Sequence, residues 1–408
     1  MMTCDVLIIG GGMAAASLVL ALAKLANPPA TCVISREADF GYNRVLLPEL
    51  LSGDCDADSL FTNIHRYTTF DWLNVLRETD CTQLDLRKRV ATTDESSIRY
   101  ESVVFATGAS PYVPNISGNN LPGVHTLRTI DDTYRLHDAA KTMQHCVVLG
   151  GGLLGLEAAD ALHRCGVNTT VVHRGPHLMN KQLDSDTGRL LADLIEGNGI
   201  GVMTNCSINE INSDGSADIS SDVSSDDPKP QSVSHVVVND NKIKADCVLL
   251  ACGTVPRIKL AEASGINCHH GIKVDESLRA HDNLFAIGEC ARIAGRSYSY
   301  VEAVLEQASV VAKQLSGHRA RFSPSPPATR LKVADISLFA AGDISIKADH
   351  EITLEAQSGE LRRQLNFRGS QLVSAMLLGD LSGSIGIRDA IGRDMPSRTS
   401  REKLAFGF

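Results

Sequence analysis

The sequence predicts an α/β fold, with two layered units of parallel sheet and helix followed by a small α+β domain. Three observations predict it. A short β-branched strand, a glycine turn and an apolar helix succeed one another at the start, in DVLIIGGGMAAASLVLALAKL. The same succession returns about 140 residues later, in CVVLGGGLLGLEAADALHRCG. Beyond a Pro-rich junction, FSPSPPATR, the pattern changes to period-two runs such as LKVADISLF and QLVSAMLLGD, which mark half-buried antiparallel strands.

In the first succession Asp5 to Ile9 reads as strand and Ala14 to Leu25 as helix. Between them Gly10-Gly11-Gly12-Met13-Ala14-Ala15 is a G-x-G-x-x-A turn. Gly10 permits the tight bend, Gly12 lets the backbone approach a pyrophosphate, and the small Ala15 lets the helix lie close to the strand. Met13 and Ala14 open the helix, whose free amides and dipole favour an anion. A lone match of this kind is weak, but strand before it and helix after it strengthen it. The second turn carries Gly150, Gly152, Leu154 and Gly155 in the same context. Two Rossmann-like folds imply two nucleotides, held so that one can reduce the other.

Further small-residue turns fit such a pair. Ala106-Thr107-Gly108 ends one apolar strand, and Ala251-Cys252-Gly253 ends another. Each lets backbone come close to a bound cofactor. A third strand ends in Gly288-Glu289, whose carboxylate can accept hydrogen bonds from a sugar-like chain of hydroxyls.

The bulk numbers bound the function. At 408 residues the chain exceeds one ordinary core. A net charge of −9 argues against nucleic acid or an anionic membrane as partner. No apolar run approaches the roughly 18–20 residues that span a bilayer, and the first residues lack a basic, cleavable leader, so a cytoplasmic setting is expected. The eleven cysteines contain no C-x-x-C pair. Cys247 and Cys252 sit in an apolar run and read as buried thiols. Neither an iron–sulfur cluster nor any other metal site is expected.

Taken in order, these motifs resemble the FAD-dependent pyridine nucleotide reductases. Three stretches narrow the resemblance: FGYNRVLLPELLSGD (40–54), HLMNKQLDSDTGRLL (177–191) and TRLKVADISLFAAGD (329–343). They look like the flavin module of assimilatory nitrite reductase large subunits, shared with electron-transfer subunits of assimilatory nitrate reductases. The resemblance implies FAD and either NADH or NADPH as cofactors. It places Arg44 and Arg128 on FAD, Glu289 on its ribityl chain, and Glu157 beside the nicotinamide and flavin rings. An ordinary surface position for either arginine, and a helix-dipole role for Glu157, are the competing readings. Glu49 falls where some ferredoxin reductases carry lysine. A solvated surface role is expected for it, and its charge would raise the pKa of Glu157 only if the two lie close.

Departures from the pattern matter too. The acid that binds the adenosine ribose usually ends the second strand of the first fold. Here Arg36 stands at that place and Glu37 follows, so Glu37 is the expected substitute. In the second fold His173 takes the acid position and Arg174 follows; an arginine there can accommodate a 2′-phosphate, which favours NADPH but leaves NADH open. The redox-active cysteine pair of disulfide-reducing relatives is missing, so disulfide reduction is not expected.

The expected boundaries are 1–114 and 246–320 for the FAD part, 115–245 for the NAD(P)H part and 321–408 for a C-terminal interface domain. The Ser- and Asp-rich stretch 213–232 reads as a mobile loop, and the last basic dozen residues as disordered or partner-gripping. The function expected is electron transfer from NAD(P)H through FAD to a redox partner protein, a nitrate or nitrite reductase catalytic subunit. A free-standing rubredoxin or ferredoxin reductase is the alternative. A flavin-bearing scaffold or sensor ranks last because the second glycine turn is intact.

Overall fold

The structure is a computed structural model, and it describes residues 1–61, 70–213, 232–355 and 361–406. The chain divides into two compact units, one built from Met1–Leu46, Asp56–Ser110 and Thr254–Ser325, the other from Leu47–Cys55, Pro111–Gly253 and Pro326–Phe408.

The first unit is organised by β1 (Met2–Ile9), α1 (Met13–Leu22), β2 (Thr31–Ile34), β3 (Leu73–Leu76), β4 (Cys81–Asp85), β5 (Val90–Thr93) and β6 (Ser97–Phe105). Its strands lie in an eight-stranded sheet in which Leu284–Ala286, β6, β1, β2 and β3 run parallel in that order. The last four residues of β1 and all of β2 are buried, as expected of parallel strands covered on both faces. Ala15, Leu18, Val19 and Leu22 of α1 are spaced to share one face, and all are buried. The helix packs against Val301–Leu315. This packing fixes where the first glycine turn opens.

The second unit holds a five-stranded parallel sheet in the order Gly201–Met203, Asn168–Val172, His145–Leu149, Cys247–Leu250, Val124–His125. It also holds α2 (Leu47–Ser52), α3 (Ile130–Ala140) and α4 (Leu153–Arg164). Cys247–Leu250 pairs in register with His145–Leu149, so it belongs to this sheet and the first unit resumes at Thr254. The expected boundary at 246 falls one strand early, because an apolar run announces a buried strand without naming its neighbour. The short α2 is likewise claimed by this unit. The Leu51 carbonyl lies 2.9 Å from His137 Nδ1, and Asp54 pairs with Arg164.

The period-two tail forms a five-stranded antiparallel sheet in the order Ala328–Val333, Ile336–Gly342, Gln371–Leu378, Arg362–Arg368, His350–Glu355. It is tied to α4 through Asp160, which is 7% exposed. That carboxylate accepts from the Ala334 amide at 3.0 Å and is ion-paired with Arg164 Nε at 3.2 Å. Asp160→Ala should lower the unfolding free energy by about 2 kcal/mol, the cost of orphaning a buried donor, with urea unfolding as the readout. The basic end of the chain, expected to be disordered or to grip a partner, is helical over its described residues. Arg398–Phe406 is a helix whose Ala405 is buried, and the Ala405 carbonyl accepts from Arg363 Nη1 at 2.8 Å. Arg363 is itself buried, and a buried guanidinium needs such carbonyls. Residues 214–231, most of the predicted mobile loop, lie outside the described residues.

Candidate functional site

The first turn is shaped by contact with a second turn. Gly10 has φ +115°, and a Cβ there would overlap the Ala106 carbonyl. Ala106-Thr107-Gly108 thus lies directly against Gly10. Its own shape is kept by Thr107 Oγ1, which donates to the Arg257 carbonyl at 2.7 Å, and by the Arg257 amide, which donates to the Gly108 carbonyl at 2.9 Å.

Gly12 precedes α1 in an extended conformation; no side chain caps the helix and no acid stands in its first turn. By contrast, α3 carries a complete capping box between Thr129 and Asp132. An uncapped, acid-free start leaves amides and dipole available to an anion such as a pyrophosphate. A Cβ on Gly12 would come within 3.8 Å of the Arg44 guanidinium, so a cation flanks the same opening. Gly288 also approaches it: a Cβ there would lie 3.0 Å from that of Ala14, and its amide donates to the buried Gln307 Oε1 at 2.7 Å. Glu289, half-buried, follows. The structure therefore brings together Gly10 to Ala15, Arg44, Ala106 to Gly108, and Gly288 with Glu289.

Beside Gly10 opens a cavity of about 480 Å³, lined among others by Ile34, Arg36, Asp80, Arg257 and Lys259. Arg36, exposed, donates from Nε to Asp80 Oδ1 at 2.7 Å. Glu37, the acid the sequence suggests for the ribose, already has a partner on each oxygen. Its Oε1 accepts from Arg44 Nη2 at 2.7 Å and its Oε2 from the Tyr42 hydroxyl at 2.6 Å, while Arg44 lies 4.7 Å from the Tyr42 ring centre. With both oxygens engaged, Glu37 is a support for Arg44.

The second turn repeats this construction. Gly150 has φ +131°, and a Cβ there would overlap the Ala251 carbonyl, the counterpart of Ala106. Gly152 again precedes an uncapped helix with no acid in its first turn, which Leu154, half-buried, helps to form. One detail differs. A Cβ on Gly155 would overlap the Gly150 carbonyl, whereas the first turn accepts Ala15 at the matching place.

His173 is fastened to the turn: Nδ1 accepts from the Gly151 amide at 3.1 Å, which leaves Nε2 to donate to Asn180 Oδ1 at 3.2 Å. Burial pushes its pKa down, so the ring is a neutral strut. Arg174 is exposed and makes no hydrogen bond or ion pair among the described residues. Cys252, next to Gly253, donates weakly to the Leu149 carbonyl at 3.3 Å, and burial raises its pKa, which keeps it a thiol.

Glu157 lies on α4 and is half-buried. Its carboxyl is pushed up from 4.5 to about 7, by burial first and by the charge of Glu49 on α2 second. Glu49 is exposed, as expected, yet close enough to act on Glu157. Arg128 belongs to the second unit, beside the α3 capping box; its amide donates to Asp132 Oδ2 at 3.1 Å. The sequence did not reveal the Asp80 pairing or the cavity residues Arg257 and Lys259. It also missed that Cys146 and Cys247, on adjacent strands, place their sulfurs 3.3 Å apart. Both are buried, and the Cys146 thiol is pushed far up by its bond to Cys247 and by desolvation, so this pair packs as apolar side chains.

The model of the pyridine nucleotide-disulphide oxidoreductases matches residues 4–314, both glycine turns included. The chain belongs to that family. Its members use FAD and NAD(P)H, and the two uncapped turns are what this member offers them. Residues 327–395 match the rubredoxin NAD+ reductase C-terminal domain. Among curated relatives the chain is 31% identical over 390 residues to a nitrite reductase [NAD(P)H] of Bacillus subtilis, covering 93% of this chain and 46% of that one. It is 29% identical over 391 residues to an assimilatory nitrate reductase electron transfer subunit of the same organism, covering 94% and 48%. The chain thus spans about half the length of these relatives. Among solved structures it is similar in fold to a ferredoxin reductase of Rhodopseudomonas palustris (TM-score 0.86, 22% identity, 98% of this chain and 99% of that one). It is also similar to the NADH:rubredoxin oxidoreductase of Clostridium acetobutylicum (TM-score 0.79, 22% identity, the whole of both chains).

Proposed function

We propose that this chain is the electron-transfer component of a cytoplasmic nitrate- or nitrite-assimilating enzyme, holding FAD at the first turn and NAD(P)H at the second. When bound, the pair supplies hydride transfer from nicotinamide to flavin, and the electrons leave for a partner redox protein. The chain's own residues bind and orient. The amides of Met13 to Ala15, with Arg44, hold a pyrophosphate; Glu289 and Arg128 complete the flavin contacts; Gly150 to Gly155 hold the second nucleotide. Glu157 presents a carboxyl that exchanges a proton near neutral pH. The observation that carries the partner assignment is the likeness to the two Bacillus subtilis proteins along more than nine-tenths of this chain.

A second reading, a free-standing rubredoxin reductase, is favoured by the match of residues 327–395. It is favoured also by 24% identity to the rubredoxin-NAD(+) reductase of Pseudomonas putida over that protein's full length. Anaerobic mixing with NADH or NADPH should bleach the flavin band. The reduced protein is then offered a purified sirohaem or molybdenum reductase subunit, or rubredoxin. Reoxidation by the first kind alone supports the assimilatory role, and reoxidation by rubredoxin alone replaces it with the second. Arg174→Ala should raise KM for NADPH about 10-fold and leave NADH within about 2-fold, since only NADPH carries the phosphate that an arginine pairs with. Equal effects on both nucleotides would remove Arg174 from that role.

A further inference from the structure

The first nucleotide fold carries Arg36 where an acid normally ends its second strand. We propose that Asp80, positioned by Arg36, is the carboxylate that accepts the hydroxyls of the FAD adenosine ribose. The proposal rests on the reading that the first turn holds FAD.

Four observations lead to it. Arg36 occupies the place after β2 where an acid is usual, and both oxygens of the neighbouring Glu37 are engaged by Arg44 and Tyr42. The segment after β3 is brought level with that strand end, because the Thr79 amide donates to the Ser35 carbonyl at 2.9 Å. Asp80 follows immediately and lines the cavity that opens from Gly10, on the adenosine side of any pyrophosphate held at the turn.

Finally, the carboxylate is half spoken for. Arg36 Nε holds Oδ1 at 2.7 Å, and Oδ2 makes no hydrogen bond among the described residues. The side chain is 41% exposed, enough to meet a ligand. A neutral diol needs an acceptor, and a carboxylate is the strongest one a side chain offers. Of the other side chains that line this cavity, Arg257 and Lys259 are charged donors. The strand-end arginine, a donor where an acceptor is usual, delivers the acid from the next strand. Arg36 is thus a positioning residue.

The test is titration of FAD into the apoprotein, followed by flavin fluorescence, with thermal unfolding of each apoprotein alongside. Asp80→Asn should weaken FAD binding about 10- to 100-fold, the range for hydrogen bonds to a charged group, with the apoprotein melting as before. FAD carrying 2′-deoxyadenosine should bind the unaltered protein similarly weakly and lose nothing further in Asp80→Asn. The exchange Arg36→Glu with Asp80→Arg, which returns an acid to the strand end, should recover most of the affinity. Full affinity in Asp80→Asn would overturn the proposal, as would a deoxy penalty that persists unchanged in that variant. An unaltered apoprotein that binds no FAD would overturn the flavin reading as well, so the two failures are distinguishable.

Discussion

Gly10→Ala is expected to yield a colourless protein, and Gly150→Ala a yellow one that NAD(P)H no longer reduces. Both glycines hold a positive φ, and in both a Cβ would overlap a backbone carbonyl, of Ala106 in one turn and Ala251 in the other. Backbone strain of about 1–3 kcal/mol adds to overpacking of about 1–3 kcal/mol, and neither carbonyl can retreat without dragging its strand. The sum, roughly 2–6 kcal/mol, is at least a 30-fold loss of nucleotide affinity, at about 1.4 kcal/mol per factor of ten. Flavin content per chain and the rate of anaerobic bleaching read the two variants separately. If Gly150→Ala also lost its flavin, the assignment of one nucleotide to each turn would be wrong.

Glu157→Gln should matter most above neutral pH. The Glu157 carboxyl sits at about 7 against an ordinary 4.5, so the fold favours its protonated form. The associated stability is complete below about pH 4.5 and is lost as pH rises through 7, where the folded protein must ionise a carboxyl that burial and Glu49 both oppose. Glutamine imitates the protonated form at every pH. The variant should therefore melt alongside the unaltered protein at pH 4.5 and above it at pH 8.5. At about 1.4 kcal/mol per pKa unit the gap approaches roughly 3 kcal/mol. Glu49→Gln should produce a smaller shift in the same direction, because burial is the larger cause. Parallel melting curves of Glu157→Gln and the unaltered protein across that range would show that Glu157 is not held protonated.

The two glycine turns were legible in the sequence because everything that makes them is local: a β-branched strand, small residues at fixed offsets and an apolar helix lie within some twenty residues. The antiparallel tail was legible for the same reason, its period of two. What escaped depends on residues that meet across long separations. Arg36 finds Asp80 forty-four positions away, and Cys146 finds Cys247 a hundred and one away. Glu37 looked like a free acid beside a misplaced arginine, because the claims of Tyr42 and Arg44 on it are visible only once the turn between them is folded. The closing helix escaped because its composition is polar, and its place is set by the buried Arg363 and Ala405.

The backbone passes between the two compact units five times, at positions 46, 55, 110, 253 and 325. Neither unit is therefore a continuous stretch of gene. On the ribosome the first cannot close until Ser325 has emerged, and the second, which borrowed nine residues near position 50, waits for strands encoded after it. No contiguous stretch shorter than Met1–Ser325 contains the whole first unit, so that unit cannot be cut out or grafted onto another protein without much of the second. The two glycine turns are thus inherited together.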